Sequence, residues 1–87
     1  MADKLILEVV TPERAVVSEE VQIVNAPGSQ GEFGVLKGHT TFLTSLKSGI
    51  LSYKTASGTE KKLQVEGGFA EVLPDKVTVL AESAVEV

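Results

Sequence analysis

A chain of 87 residues has room for one domain, and at that size folding buries only about 60–65% of the surface the unfolded chain exposes. Apolar residues make up 43% but aromatics only 5%, so the core must be built from Val, Leu, Ile and Ala, a composition that favours strands. The net charge is −4 and the basic residues Lys4, Arg14, Lys37, Lys47, Lys54, Lys61, Lys62 and Lys76 are scattered, which argues against docking on nucleic acid or on anionic lipid; with no cysteine, disulfides, thiolate nucleophiles and Cys-based zinc sites are excluded.

The opening Met-Ala-Asp-Lys lacks the apolar stretch of a signal peptide, and Asp3 is unsuited to a transit peptide, so no targeting segment is expected. From Leu5 to Val10 the alternation of Leu5, Leu7 and Val9 predicts a strand with one buried face. Thr11-Pro12-Glu13-Arg14 turns it, and short β-rich runs are expected at Ala15–Ser18 and Val21–Asn25. Ala26 to Gly31 has turn chemistry throughout. Phe42–Leu46 is a further candidate strand, closed by Lys47-Ser48-Gly49. Ile50–Thr55 and Lys61–Glu66 flank Ala56-Ser57-Gly58-Thr59 as a hairpin, and Phe69–Leu73 and Lys76–Ala81 form another across Pro74-Asp75, whose turn type the residues leave open. Glu82–Val87 either starts a helix or frays. No apolar run approaches the roughly 20 residues that span a bilayer, so membrane association is expected to be made through a partner. The whole reads as one all-β domain, residues 1–87, of sandwich or barrel type.

The stretch Gly28 to Gly38 is rich in glycine and ends near Lys37, which invites comparison with a phosphate-binding loop. Such a loop ends Gly-Lys-Ser/Thr and opens a helix, whereas Lys37 precedes Gly38 and strands flank it, so the glycines are expected at turns or close crossings. His39 is the only histidine and no metal-ligand spacing surrounds it; it either bonds within its loop or faces a partner. The serines and aspartates offer no nucleophile elbow, and neither catalytic nor cofactor residues are expected. Glu19-Glu20 and Lys61-Lys62 suit a solvated face, Phe33 and Phe42 suit the core better than an interface, and Gly67-Gly68 suggests a bulge or bend.

Taken in order, Leu7-Glu8-Val9-Val10-Thr11-Pro12-Glu13-Arg14, Ser18-Glu19-Glu20-Val21, Pro27-Gly28, Gly31-Glu32-Phe33-Gly34-Val35-Leu36, Gly38-His39, Leu46-Lys47-Ser48-Gly49, Val65 to Val72 and Asp75 to Glu82 resemble the N-terminal domain of the epsilon subunit of F-type ATP synthases. The resemblance covers about Leu5 to Ala84. It implies a flattened sandwich of two five-stranded antiparallel sheets. It also implies a non-catalytic place in the rotor's central stalk, against the gamma subunit and the membrane-embedded c ring, coupling rotation to proton-driven ATP synthesis. Matching positions assign Glu32 to the face toward the polar c-ring loops, and His39, Phe42, Leu43 and Thr44 to the segment near gamma and the stalk base. Where the family often has Pro-Gly-His-Ala-Pro this chain has Lys37-Gly38-His39-Thr40-Thr41, which removes two rigid corners. Most members continue into a C-terminal helical hairpin that can inhibit ATP hydrolysis and in some members binds ATP; neither function is expected of these residues. No cofactor or small-molecule substrate is implied, and the missing targeting segment favours the cytoplasmic face of a bacterial inner membrane. The competing reading is a free-standing adaptor that binds an extended peptide at an unprotected sheet edge.

Overall fold

Alternating apolar residues generate strands, and burying their shared faces against one another generates the layers. The computed structural model describes residues 4–38 and 41–87, in which nine strands and no helix occur. They are β1 (Leu5–Val10), β2 (Ala15–Gly28), β3 (Gly31–Val35), β4 (Phe42–Ser45), β5 (Gly49–Thr55), β6 (Glu60–Glu66), β7 (Phe69–Leu73), β8 (Lys76–Leu80) and β9 (Ser83–Glu86). Hydrogen bonding runs continuously in the order β4-β7-β8-β1-β2-β5-β6-β9, with β3 also on β2.

The 14-residue β2 is what turns this ladder into a sandwich. Its first half pairs with β1 from Ala15 to Val21; past a register irregularity between Val21 and Ile23, its second half pairs with β5 and, from Val24 to Gly28, with β3. One layer is therefore β4-β7-β8-β1-β2 and the other β3-β2-β5-β6-β9, giving five strands apiece from nine because β2 serves both. The two five-stranded sheets implied by the resemblance are present in this form, with one departure: β1 and β8 pair in parallel, since β8 enters beside β1 from the β7 hairpin rather than from β1's own turn. The particle is flattened, with extents of 31 × 25 × 20 Å.

Three local expectations need correction. Ala15–Ser18 and Val21–Asn25 are not separate strands, because Glu19-Glu20 stays in the ladder opposite Leu7 and Ile6. The Gly-rich stretch is not all turn: Gly28 and Gly31 pair across Ser29-Gln30, and β3 follows immediately. The C-terminal residues neither form a helix nor fray, since Ser83–Glu86 pairs with β6 as β9. The open question about Pro74-Asp75 closes too. Neither residue takes a positive φ, so the β7–β8 turn is not a primed type.

Inward-facing residues of both layers meet in one cluster: Leu5, Leu7, Val9, Val72, Val77 and Val79 from one side, and Val24, Val35, Leu51, Leu63 and Val65 from the other, all essentially inaccessible. Each such side chain contributes about 1.5–3 kcal/mol relative to remaining exposed. Tyr53 is the polar member, and its hydroxyl donates to Glu19 Oε2 at 3.2 Å while Lys61 Nζ lies 3.8 Å from the same oxygen. The Gly67-Gly68 bend brings β7 against the end of β8 with φ of +62° and +105°; a Cβ on Gly68 would collide with the Leu80 carbonyl oxygen and lie 2.8 Å from Ala81 Cα.

Gly68→Ala must displace backbone and is expected to cost about 3 kcal/mol, whereas Gly58→Ala, with positive φ but open space, costs about 1, as read by urea unfolding. For Tyr53, burial first, then the charge and hydrogen bond of Glu19, push the pKa from 10.0 up to about 12. Folding thus favours the neutral phenol: its contribution is complete below pH 10 and is lost as pH rises from 10 to 12. Tyr53→Phe is expected to flatten that part of the stability–pH curve relative to the unsubstituted chain, and identical curves would contradict the assignment.

Candidate partner-docking site

β3 and β4 are the edge strands of opposite layers, and they reach the same end of the sandwich by different routes. β3 is carried by its ladder with β2, which sets Glu32 opposite Pro27; β4 is carried by β7, which sets Leu43 opposite Glu71. A bridge between Gly28 and Leu46 ties the two together, as do hydrogen bonds from Ser29 N–H to the Ser45 carbonyl (3.0 Å) and from Lys47 N–H to the Pro27 carbonyl (2.9 Å), and a contact between the Ser29 and Ser45 hydroxyls. Beyond this staple the edges enclose an open cleft of about 540 Å³ lined by Gln30 to Phe33 and Phe42 to Ser45.

Four of the five residues singled out in the sequence therefore meet at one place: Glu32, Phe42, Leu43 and Thr44 all line this cleft. His39 lies outside the described residues. The four do not play equivalent parts, because strand alternation divides them between two faces. Glu32 is exposed, and Leu43 points outward with 69% of its surface accessible. Phe42 and Thr44 are half-buried; the Phe42 ring meets Phe33 edge-on, centroids 5.2 Å apart at 78°, and both rings pack on the core. Phe42 is thus a plug between the layers that supports β4, while Leu43 and Glu32 are the groups presented to solvent. The expectation that Phe33 and Phe42 belong with the core holds.

Phe69 and Leu80 were missed. Both are large, apolar and more than half exposed, and the register sets Ser45, Phe69 and Leu80 side by side on the outer face of the β4-β7-β8 layer. With Val10, Pro12 and Ala81, Phe69 and Leu80 line a second, mostly apolar cleft of about 380 Å³. The signal was available: Val77 and Val79 alternate inward, so Leu80 and its partner Phe69 must face out. Among the described residues no three metal-ligating side chains converge and no buried side-chain polar atom lacks a partner. Chemically, the site offers shape, one carboxylate and apolar surface.

The fold defines a small two-layer β-sandwich domain. Residues 4–87 match the family described as ATP synthase, Delta/Epsilon chain, beta-sandwich domain, and the chain belongs to that family. It is 74% identical over 84 residues to the ATP synthase epsilon chain of Desulforapulum autotrophicum and 54% identical over 84 residues to that of Carboxydothermus hydrogenoformans, in each case covering 97% of this chain and 62% of the relative. Among solved structures, a chain of the Euglena gracilis mitochondrial ATP synthase OSCP/F1/c-ring assembly superposes with a TM-score of 0.92 at 27% identity, covering 99% of this chain and 55% of that one. A chain of the Tetrahymena thermophila central stalk/c-ring assembly, 15% identical, shares the fold with a TM-score of 0.80, over 95% of this chain and 66% of that one. The chain thus spans about three-fifths of the length of the curated relatives it matches.

The division of faces is testable by stability alone. Phe42→Ala is expected to cost about 2 kcal/mol by denaturant unfolding, and Leu43→Ala less than about 0.5. Equal costs would contradict the opposed orientations.

Proposed function

We propose that this chain is a non-catalytic rotor component of an F-type ATP synthase, seated in the central stalk between the gamma subunit and the c ring during proton-driven ATP synthesis. The observation that carries the reading is the family match over residues 4–87, on a chain whose Glu32 and Leu43 share one exposed end. In this reading the chain acts on the cytoplasmic face of a bacterial inner membrane and touches the membrane only through the complex. It binds no cofactor, and residues 1–87 act as one β-sandwich domain.

The physical requirement of such a part is stiffness. A stalk element that yields under load wastes rotation, whereas two hydrogen-bonded layers around one close-packed core resist shear and hold their loops and edges in fixed relation. Glu32 then serves as a charge-assisted contact to a basic c-ring loop, an exposed pair worth about 0–1 kcal/mol and so a matter of register more than affinity. Leu43, with Thr44 behind it, offers the apolar contact to gamma, and Phe42 holds the strand that bears them. His39 belongs to the same proposed interface by its place in the sequence.

Purified gamma subunit is expected to retain the chain in a pull-down and to lose it when Leu43 is changed to Asp; Phe42 is left intact because it supports the fold. In the assembled enzyme, Glu32→Gln is expected to lower ATP synthesis driven by the proton gradient several-fold while sparing assembly. A folded chain that ignores its cognate gamma would overturn the stalk reading, and unchanged synthesis in Glu32→Gln would remove the c-ring contact.

A further inference from the structure

Resting on the stalk reading above, we infer that the hydroxyls of Ser29 and Ser45 form a clasp that sets the direction in which Glu32 is presented. Ser45, on the opposite layer, is thus a positioning residue for the proposed c-ring contact. Glu32 follows a connection that does not aim itself. Ser29 and Gln30 join Gly28 to Gly31, and neither takes a positive φ, so the turn is not one of the primed types whose twist matches that of the flanking strands. Gly31, at φ +130° with open space around its missing Cβ, adds no side-chain contact of its own. A hairpin closed in this way tends to splay, and the bearing of its tip is set from outside the hairpin.

What holds the tip comes from β4. Ser29 N–H donates to the Ser45 carbonyl at 3.0 Å, the Ser29 and Ser45 hydroxyls are in contact, and the Thr44 hydroxyl donates to the same carbonyl at 3.1 Å. The base of the hairpin is fixed differently. Pro27, the ladder partner of Glu32, gives its carbonyl to Lys47 N–H at 2.9 Å, and its ring lies so near Gly49 that a Cβ there would come within 3.1 Å. A Cβ on Gly28 would lie 2.7 Å from the Gly31 carbonyl oxygen and 3.0 Å from the Phe33 ring. Pro27 and Gly28 are buried, so the base belongs to the packing of the fold. The clasp is exposed, so water replaces its hydroxyl bond at little cost to folding, and its loss changes where the tip points rather than whether the sandwich forms. Leu43 stands two residues before Ser45, so the clasp also joins the strand bearing the proposed gamma contact to the hairpin bearing the proposed c-ring contact.

The test is a pair of isosteric substitutions in the assembled enzyme. Ser45→Thr keeps a hydroxyl and Ser45→Val puts a methyl group in its place, at an exposed strand position that suits both. Ser45→Val is expected to lower gradient-driven ATP synthesis about three- to fivefold, the size set by one neutral hydrogen bond, while Ser45→Thr keeps the unsubstituted rate and urea unfolding finds the two equally stable. Ser29→Ala opens the clasp from the other side and is expected to match Ser45→Val, with the double variant no worse than either alone. Because the clasp acts through Glu32, the difference between Ser45→Thr and Ser45→Val is expected to vanish in a Glu32→Gln background. A difference that persists there, or equal synthesis in Ser45→Thr and Ser45→Val, overturns the positioning role and leaves the stalk reading standing. Should Ser45→Val prove unstable, Ser29→Ala decides alone, and full synthesis in it overturns the inference. Unchanged synthesis in Glu32→Gln by itself removes the c-ring contact and the inference with it.

Discussion

Both layers hang on one strand. β2 is long enough to be the end of one sheet and an interior strand of the other, and the change of partner at Val21 to Ile23 is the point at which a flat ladder becomes a closed volume. A bulge locally increases twist and bends the strand that bears it, which is what a strand leaving one layer for another needs. On either side of it β2 presents Val17 and Val21, then Val24 and Ala26, to the same core. Everything downstream depends on that crossing, because β5, β6 and β9 are assembled onto its second half, and β1, β8, β7 and β4 onto its first.

Where a two-layer fold is open at its sides, the rims need separate attention. One rim is held by polar chemistry: Glu19 on β2 takes the Tyr53 hydroxyl from β5 and stands near Lys61 on β6. The opposite rim, between β3 and β4, is held by an aromatic pair and by the staple from Ser29 and Pro27 to Ser45 and Lys47. The contrast suits the two rims' circumstances. A carboxylate, a phenol and an ammonium group gather at one, whereas at the other Phe33 and Phe42 plug the interior behind the staple.

Most of the strand boundaries were legible because their alternation was uninterrupted: β1, β5, β6, β7 and β8 fall within a residue of the expected spans. The failures share a cause. Glu19-Glu20 looked like a break in β2 because local pattern cannot show that Tyr53, 34 residues away, answers Glu19. β3 was hidden by glycines whose pairing across Ser29-Gln30 depends on the close approach of Phe33, and β9 by Glu82–Val87's dependence on β6 for its ladder. The site was legible as a set of residues through family resemblance, but not as a geometry. Phe42 and Leu43 are neighbours in sequence and opposites in role, and which of them faces out is decided by the β7 register, where Val72 is buried and Glu71 is exposed.

On its outward side β4 presents uncharged Leu43 and Ser45 between the exposed carboxylates of Glu32 and Glu71. In an assembly such a surface is useful, because exposed apolar groups supply contact area while the carboxylates beside them favour one register over another. Leu43, Phe69 and Leu80 extend the argument across the outer face of the same layer, where three large apolar side chains stand exposed on strands that are otherwise regular. Apolar surface gathered on one face marks a site of interaction more often than single scattered residues do. In the stalk role proposed for the chain, the β4-β7-β8 face is the surface with most to gain from being covered, and the close-packed sandwich behind it is what would hold that face rigid.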